Sequence, residues 1–536
     1  MAACLGFFLL SRAPIIRCPF ELNVDESQMA AQAMRYGQDL TPWRSVEGES
    51  NGPLDSWFLL AAHDLGMPFS YPTLHLLAAL CLVGILLATH SAARRLAGDA
   101  AALVGLAAGA WWLAWAPVQE FEHYSSELVP CLLLSCSLSA VIRARQTPSG
   151  ADWRLGLLGG ALLGLAPWGK LQAAPLALAL GVWAVGDGLF EKSAPAPVRW
   201  RYAAALAAGA ILPGVLLLTW VVRAGAGEEF WRSYIVAGLV HTAPRSALEH
   251  LRYLRDLVFL QPGSPWFCDV ALLAIGALCL RRPSTDQWSS RRPLLFALVL
   301  LGGGMYATLR PITQWAHYAI FCLPGLVLCV AVAARSLLQN PSDLRPIPFS
   351  FDVKGRVFGG EILLRLNRRA SWAVLAIGLL PLPVLYFFHN NYFKDYDQAW
   401  HYRSSHVFDS QDFLAKAVHH YASQAKSLAV WGWKPSLYVD LGLPPSVRNA
   451  GYVYLRDGNP AQEFLRAAFM RDLEHSAPDE MVDVEDYIWR GQRHTPPEIF
   501  PALAAYLANH YRLAGQGKVA RSDDYSMLIN IYVRTR

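Results

Sequence analysis

Charged residues are scarce in this chain of 536 residues, because Asp, Glu, Lys and Arg together make up only 16% of it. An ordinary soluble domain has about 25%, and a soluble protein of this length would form about two to four domains with charged surfaces. The composition also excludes a disordered, collagen-like or disulfide-framework protein. The apolar content of 54% and the mean hydropathy of +0.26 favour a multi-spanning membrane protein.

Several common motifs are also missing from the sequence. It has no P-loop, no GxGxxG segment and no CxxC pair, so it gives no sign of an ATPase half or a dinucleotide site. The net charge of +5 is small, and membrane proteins carry such an excess in their cytoplasmic loops, so it does not indicate nucleic-acid binding. The nine cysteines all precede residue 330, and we interpret those in apolar runs as small packing residues.

The apolar residues form runs of the kind that cross a membrane. The predicted spans are 2–16, 72–93, 100–117, 127–142, 155–167, 172–190, 202–222, 266–280, 293–309, 316–334 and 371–388. We therefore predict about eleven transmembrane helices. The first run opens at Met1 without a basic region, so we do not expect a cleaved signal peptide.

The loops between these runs alternate in charge, which predicts their orientation. Basic residues lie in one set of loops: Arg94, Arg95, Arg143, Arg145, Arg154, Lys192, Arg199, Arg201, Arg281, Arg282, Arg291, Arg292 and several within 335–370. The loop 17–71 is acidic and belongs to the opposite set, and the long loop 223–265 is an exception. Because basic loops face the cytoplasm, we expect the N-terminus inside and loop 17–71 outside. An odd number of spans places the C-terminal region outside as well.

The composition changes near His389, where long apolar runs end. Residues 389–536 contain many charges and no cysteine, and strand-like and helix-like pieces alternate in them. The expected strands are Leu428–Trp431, Met481–Val484 and Met527–Val533, and the expected helices lie near 460–475 and 497–511. We therefore predict a transmembrane domain at 1–388 and a small external α/β domain at 389–536.

The first external loop carries two adjacent carboxylates, Asp25 and Glu26, at the start of a short helix that Gly37 ends. Pro53 opens a second helix with apolar residues on one side, which suits a helix lying in the membrane interface. Two interpretations of Asp25 are open. It caps its helix, or it is a carboxylate held at the membrane surface as a general base. The pair Asp25 and Glu26 can also hold a divalent cation such as Mg²⁺ or Mn²⁺.

Further polar residues lie where other spans begin or end on the same side. In the second external turn, residues 119–127, these are Glu120, Glu122, His123, Tyr124 and Glu127, and elsewhere they are Lys170, Arg310, His317 and Tyr318. Each has an ordinary interpretation, such as a solvated turn, a lysine snorkelling to the interface or a residue of the aromatic belt. Together they place carboxylates and cations on one membrane face, which would suit a lipid-linked phosphate and a polar acceptor.

Several segments resemble one family of membrane enzymes. The loop NVDESQMAAQAMRYGQDLTPWRSVEGESNGPLDSW and the segments FEHYSSELVP, WGKLQAAP, QWAHYAIFCLPGL and VWGWKPSLYVDLGLPPSVRNAGY carry the resemblance. They are similar to the multi-spanning GT-C glycosyltransferases, and within these to the protein-mannosyltransferase-like and ArnT-like branch, whose donors are dolichyl- or undecaprenyl-phosphate sugars. Trp43 stands where Tyr is commoner in that family.

The resemblance implies a GT-C-like fold and a mechanism. Asp25 would deprotonate an acceptor hydroxyl, which attacks the sugar with inversion while polyprenyl phosphate leaves. Glu26 would orient the acceptor or Asp25, and Lys170, Arg310 and His317 would bind the phosphate. Glu122, His123, Glu127 and Tyr318 would support these residues or contact the acceptor. The acceptor would be a glycan, a lipid or a protein, and relatives differ in whether they use a divalent metal.

Two other classes of protein compete with this interpretation. A transporter or flippase of a lipid-linked sugar should have inverted repeats and charges near the bilayer midplane, and the sequence shows no repeat. A membrane scaffold with an external interaction domain leaves the grouped charges unexplained. In the C-terminal domain, Trp431, Trp433 and Tyr438 either stack on a sugar or pack in a core.

Overall fold

The structure of the chain is a computed structural model. It describes residues 1–115, 120–147, 151–190, 194–240, 287–311, 315–339, 347–353, 356–362, 406–421, 425–451, 460–485, 500–522 and 525–535, with residues 246, 248, 249, 252 and 455. Two predicted spans, 266–280 and 371–388, lie outside the described residues.

Helices dominate the N-terminal part of the chain. They are α1 (Ala2–Ile16), α2 (Val24–Tyr36), α3 (Pro53–Asp64), α4 (Tyr71–Ala97), α5 (Asp99–Trp115), α6 (Leu128–Arg145), α7 (Trp153–Leu165), α8 (Ala174–Phe190), α9 (Ala196–Arg223), α10 (Gln287–Leu309) and α11 (Leu323–Gln339). Every predicted span within the described residues coincides with one of these helices. Short 3₁₀ segments at Ala166–Trp168, Leu171–Ala173 and Ala316–Cys322 and a π-helix at Phe230–Ala237 join them.

Within the described residues, five helical segments are long and apolar enough to cross a membrane: Tyr71–Ala97, Leu128–Arg145, Leu171–Phe190, Ala196–Arg223 and Ala316–Arg335. Shorter apolar helices lie at Ala2–Ile16, Asp99–Ala114 and Pro293–Leu309. The predicted class, a helical multi-spanning membrane protein, is therefore confirmed, whereas the expected number of about eleven spans stays a prediction.

The helices differ in how much of their surface the bundle covers. The window of Ala316–Arg335 is fully buried, whereas only 22% of the window in α9 is buried. Ile211 and Leu216 on α9 are more than half exposed, as expected for side chains that meet lipid tails. The chain from Ala316 to α11 therefore forms the centre of the bundle.

The first loop folds as its pattern predicts, with α2 ended by Gly37 and α3 begun by Pro53. Between them, Trp43 is buried in the left-handed backbone region with φ of 61°. Its ring contacts Trp168, Phe230 and Tyr234 at centroid distances of 6.0, 4.8 and 5.2 Å. This aromatic cluster anchors the loop to the end of α7 and to the π-helix.

A hairpin and a sheet complete the described structure. The hairpin pairs β1 (Ile347–Val353) with β2 (Arg356–Ile362) in antiparallel fashion, inside the region 335–370 that we interpreted as a basic loop. The sheet contains β3 (Leu428–Trp431), β4 (Glu480–Glu485), β5 (Tyr511–Ser522) and β6 (Tyr525–Arg534) in the order β3-β4-β6-β5. Strands β3 and β4 are parallel, and the other two pairs are antiparallel.

Helices cover both faces of this sheet. They are α12 (His406–Tyr421), α13 (Ser436–Leu441), α14 (Gln462–Ser476) and α15 (Pro501–His510). Strand β3 alternates between the faces, because Ala429 and Trp431 pack with α14 and α15 while Leu428 and Val430 pack with α12 and α13. The expected strands and helices of the C-terminal region are thus confirmed, and β5 is an addition that the sequence did not predict.

Candidate functional site

Six polar side chains meet where several helices begin, and we call them the polar cluster: Asp25, Glu120, His123, Glu127, Lys170 and His317. Asp25 lies in the first turn of α2, and Glu127 directly precedes α6. Lys170 directly precedes Leu171, and His317 lies in the 3₁₀ segment that leads into α11. Chain segments that are far apart in sequence therefore bring their polar residues to one end of the bundle, as predicted.

His317 is the centre of the polar cluster. Its Nδ1 lies 2.7 Å from a carboxylate oxygen of Glu120, and its Nε2 lies 3.6 Å from Asp25 Oδ2 and 3.9 Å from Glu127 Oε2. The ring of His123 packs edge-on against it at 5.0 Å. The imidazole is fully buried, whereas Asp25 keeps 26% of its side chain exposed. Asp25 is therefore the most exposed acid of the cluster, ahead of Glu120 at 18% and the fully buried Glu127.

The backbone of the first loop fixes the position of Lys170. Asn51 and Lys170 form an antiparallel bridge, and the Gly52 amide donates to the Gly169 carbonyl at 2.6 Å. A Cβ on Gly52 would lie 1.9 Å from the carbonyl oxygen of Trp168, so only glycine permits this approach. The first loop and the backbone at Lys170 are therefore held together by direct backbone contacts.

The ammonium group of Lys170 is buried and paired with Glu127. It also donates to Ser126 Oγ at 2.7 Å and lies 4.9 Å from the centre of the Tyr318 ring. An ammonium group has three N–H donors, so two of them are used by these oxygens. The third can reach a ligand oxygen without breaking the pair.

Two carboxylates of the polar cluster, Glu127 and Glu120, stay ionised. Burial alone would raise the pKa of Glu127, but Lys170 and His317 outweigh it and lower this pKa to about 2. Burial likewise opposes the ionisation of Glu120, whose hydrogen bond with His317 lowers its pKa to about 2. Burial lowers the pKa of His123, and nearby His317 adds to this effect. The cluster therefore holds two ionised carboxylates and the buried ammonium group of Lys170 beside the neutral imidazole of His123.

Asp25 does not cap its own helix. The cap of α2 is Asn23, whose side-chain oxygen accepts from the Asp25 amide at 3.0 Å. The interpretation of Asp25 as a helix cap is therefore wrong. Its carboxylate is left to face His317.

Glu26 points away from Asp25 into a separate set of contacts. It is fully buried, lies 3.1 Å from His75 Nε2, and accepts from the amides of Leu22 at 2.5 Å and Tyr124 at 3.4 Å. Neighbouring residues of a helix point about 100° apart, which explains why the pair separates. Glu26 ties α2 to α4 and to the second turn.

The remaining predicted residues lie beside the polar cluster. Glu122 pairs with Arg12 of α1 at 2.6 Å, and both side chains are 3% exposed. Tyr318 packs on the His317 ring at 4.8 Å. Arg310 follows the end of α10, two residues after Thr308, whose hydroxyl donates to the Tyr318 carbonyl at 3.0 Å.

Two residues of this region were not predicted. Arg12 also donates to the Leu113 carbonyl at 2.6 Å, and a lone arginine in an apolar run was the available signal. Asp55 is fully buried, and neither of its carboxylate oxygens has a hydrogen-bond partner among the described residues. Burial, with nearby Glu127, raises the pKa of Asp55 well above its usual value, so this acid is neutral.

In the part of the chain that the structure describes, one group of side chains can hold a metal ion. Asp25, His123 and His317 each offer one ligand atom, and these atoms lie within 4.8 Å of one another. We expected Asp25 and Glu26 to be the candidate ligands, but Glu26 is not among these three. Two imidazoles and one carboxylate suit Zn²⁺ better than the expected Mg²⁺ or Mn²⁺, because those two ions prefer oxygen ligands.

Two solved structures share this fold over nearly the whole chain. The undecaprenyl-phosphate-bound ArnT from Cupriavidus metallidurans has a TM-score of 0.57 at 15% identity, covering 99% of this chain and 96% of that one. Its apo form has a TM-score of 0.55 at the same identity and coverage. An oligosaccharyltransferase from Archaeoglobus fulgidus has a TM-score of 0.43 at 11% identity, covering 90% of this chain and 69% of that one.

The chain thus has the fold of these two ArnT structures over nearly its whole length. The resemblance seen in the sequence is confirmed at the level of the fold. No protein-family model and no curated protein matches the sequence.

Proposed function

We propose that the protein transfers a sugar from a polyprenyl-phosphate carrier to an acceptor hydroxyl at the outer face of the cytoplasmic membrane. The observation that carries this proposal is the meeting of Asp25, Lys170 and His317 at one end of a GT-C-type bundle. The ArnT structure that supports it is described as bound to undecaprenyl phosphate. The acceptor is a glycan, a lipid or a protein.

Asp25 is the general base of the proposed reaction. It is the most exposed carboxylate of the polar cluster, with 26% of its side chain exposed against 18% for Glu120, and His317 lies 3.6 Å from it. Asp25 removes the proton of the acceptor hydroxyl as the oxygen attacks the anomeric carbon. The bond from that carbon to the phosphate oxygen breaks, and the configuration inverts. Positioned bases of this kind contribute about 100- to 10,000-fold to a rate.

Lys170 binds the departing phosphate through its third N–H donor. Its pairing with Glu127 and Ser126 holds the ammonium group in place, so little reorganisation is needed when negative charge develops on the phosphate. The Tyr318 ring lies against the Lys170 ammonium group on this side of the site, and Arg310 is a further candidate for binding the phosphate. Glu26 and Glu122 hold the loops through His75 and Arg12.

The donor set of Asp25, His123 and His317 fits a divalent ion. When bound, such an ion supplies Lewis-acid stabilisation to a phosphate oxygen. A carboxylate has two oxygens, so Asp25 can ligate with one and accept a proton with the other. His123 is suited to ligation, because burial keeps it neutral.

Replacing the proposed base tests the reaction. We expect Asp25→Asn to lower sugar transfer by about 100- to 10,000-fold while the protein still folds and inserts. The measurement is transfer from a panel of undecaprenyl-phosphate hexoses and pentoses, together with glycan and lipid analysis of a deletion strain complemented by each variant. Asp64→Asn, at the exposed end of α3, is the matched control. Full activity of Asp25→Asn would remove Asp25 as the base.

Replacing the proposed phosphate ligand tests donor binding. Loss of Lys170 alone would leave Glu127 charged and unpaired in a buried site, so we expect that variant to be unstable. The double variant Glu127→Gln/Lys170→Gln avoids this problem. We expect it to bind undecaprenyl phosphate at least about tenfold more weakly, the scale of one charge-assisted hydrogen bond. Titration in detergent, with Lys426→Gln as control, measures it, and an unchanged affinity would exclude Lys170 from the site.

A transporter of the same lipid is distinguished by the products. A transporter would move the lipid-linked sugar across the membrane and leave its phosphate bond intact. Release of undecaprenyl phosphate together with a glycosylated acceptor therefore separates the two functions.

A further inference from the structure

Two consecutive residues of the C-terminal domain contact α2 and the segment that leads into it, one at a position before Asp25 and the other at a position after it. Lys434 Nζ lies 3.0 Å from Glu21 Oε2, and Trp433 Nε1 donates to Gln28 Oε1 at 3.3 Å. Glu21 is four residues before Asp25, and Gln28 is three residues after it. The two contacts therefore hold the start of the helix that carries the proposed base.

The ion pair among these contacts is buried. The side chains of Lys434 and Glu21 are 8% and 7% exposed, and the Ser27 hydroxyl also donates to Glu21. Charges that are removed from water need their partners, because a single buried charge is strongly unfavourable. The pair therefore fixes the position of Lys434 relative to Glu21, which an exposed ion pair would not do.

The backbone conformation at Gly432, just before these residues, directs them towards α2. Gly432 follows β3 with φ of 132°, and a Cβ there would lie 2.9 Å from the Val484 side chain and carbonyl oxygen. Only glycine is comfortable in this position. The next turn is held by the amide of Val430, which donates to the Tyr438 hydroxyl at 2.8 Å.

Apolar contacts fasten the same two parts together in both directions. Ala31 of α2 packs in the core of the C-terminal domain, and Val439 of α13 packs in the core of the helical bundle. Farther along the loop, the Glu47 amide donates to the Arg448 carbonyl at 2.8 Å. Helix α2 therefore lies between the bundle and the domain, held by both.

We propose that Trp433 and Lys434 are positioning residues for Asp25, so that the C-terminal domain is part of the catalytic machinery rather than only a cover. This inference rests on the proposed function. Proton abstraction requires hydrogen-bond geometry, and a displacement of about 1 Å can lower a rate about 100-fold. Trp433 contacts α2 at Gln28, and Lys434 contacts the segment before it at Glu21, so the effect runs through α2.

The test uses the full-length protein and five variants. Lys434→Gln breaks the pair, Glu21→Gln/Lys434→Gln removes both charges without leaving one buried, and Lys434→Arg keeps the charge. Trp433→Phe removes the indole N–H, and Lys426→Gln is the matched control on an exposed lysine of the same domain. The readouts are kcat, the donor KM, undecaprenyl phosphate affinity, and hydrogen exchange of the amides of α2.

We expect Glu21→Gln/Lys434→Gln to lower kcat by about 10- to 100-fold, with donor KM and undecaprenyl phosphate affinity unchanged. Amides of α2 should exchange faster in this variant. Lys434→Arg, which keeps the positive charge, should have the kcat of the wild type. Trp433→Phe should lower kcat in the same direction, and Lys426→Gln should match the wild type.

Two results would overturn the inference. In the first, Glu21→Gln/Lys434→Gln has the same kcat as Lys426→Gln while Asp25→Asn is inactive. The proposed function would then stand, but the contacts of Trp433 and Lys434 would not contribute to it. The other is a parallel loss of undecaprenyl phosphate affinity, which would indicate general damage to the site. If Asp25→Asn is as active as the wild type, the proposed base fails, and this inference fails with it.

Discussion

At the scale of single residues, burial decides what each carboxylate can do. Glu127 and Asp55 are both fully buried, yet they end in opposite states. Glu127 has Lys170 as a partner and is ionised, whereas neither oxygen of Asp55 has a hydrogen-bond partner among the described residues, and Asp55 holds its proton. Asp25 differs from both because it is partly exposed, which lets it exchange a proton with an incoming molecule.

Glu480 shows the same effect outside the membrane, and it predicts a pH dependence of stability. Burial, with nearby Asp479, raises its pKa to about 8. An unfolded glutamate has a pKa of about 4.3, so between these values the folded state holds a proton that the unfolded state releases. The free energy of unfolding should therefore fall as pH rises from about 4 to about 8.

The variant Glu480→Gln cannot ionise and should escape this loss. At pH 9 we expect its free energy of unfolding to exceed that of the wild type by up to about a few kcal/mol, which raises its melting temperature. Near pH 4 the two proteins should have the same stability. Glu474→Gln, at an exposed position of α14, should change nothing. No gain for Glu480→Gln at pH 9 would contradict the assigned shift.

At the scale of elements, backbone proximity joins α7 to α9. A Cβ on Gly160 would lie 2.1 Å from the Leu206 carbonyl oxygen, and one on Gly164 would lie 2.1 Å from the Ala210 carbonyl oxygen. Small residues spaced four apart let transmembrane helices approach closely. The reciprocal contact is Gly209, whose Cβ would lie 2.2 Å from the Leu157 carbonyl oxygen.

Enlarging one of these glycines should separate the helices. We expect Gly160→Ala to destabilise the protein by about 1 to 3 kcal/mol, because the added methyl group meets backbone that cannot move aside. Thermal unfolding in detergent measures this loss. Gly302→Ala is the control, since a Cβ there has nothing within 4 Å, and equal stability of the two variants would be inconsistent with the packing.

Elements were the scale at which the sequence predicted most. The helices α2 and α3 and the strands β3, β4 and β6 lie where capping residues and alternating patterns placed them. These features depend on local hydrogen bonds and local burial, which a short stretch of sequence encodes. Trp431 and Tyr438 also follow a local pattern, since both are buried in the domain core rather than available to a sugar.

At the scale of the whole molecule, orientation across the membrane follows from the charge of the loops. We propose an inside N-terminus, a transmembrane part up to about residue 388, and an extracytoplasmic domain after it. The contacts of Trp433 and Lys434 with α2 and the segment before it require that the C-terminal domain and loop 17–71 lie on the same side.

A reporter fusion tests this orientation. A phosphatase that folds only outside the cytoplasm should be active when fused after Arg536 and inactive when fused after Gln146, which lies in a basic loop. The reason is that basic loops stay in the cytoplasm. Activity after Gln146 with none after Arg536 would reverse the proposed topology.

The sequence by itself determined the class of the protein, because long apolar runs and few charged residues are typical of a chain that spans a membrane. It also determined which residues were candidates, since charges near a membrane face are few. Only the tertiary structure decided which of them meet. It separated Glu26 from Asp25, paired Glu122 with Arg12, and brought His123 and His317 to Asp25.

The physical reason is that contacts between distant segments depend on the packing of the whole bundle. A pattern of seven or ten residues predicts a helix and its buried side, but not the partner that side will meet. The polar cluster and the contacts of Trp433 and Lys434 with α2 and the segment before it are of this kind, and they became visible only in the folded chain.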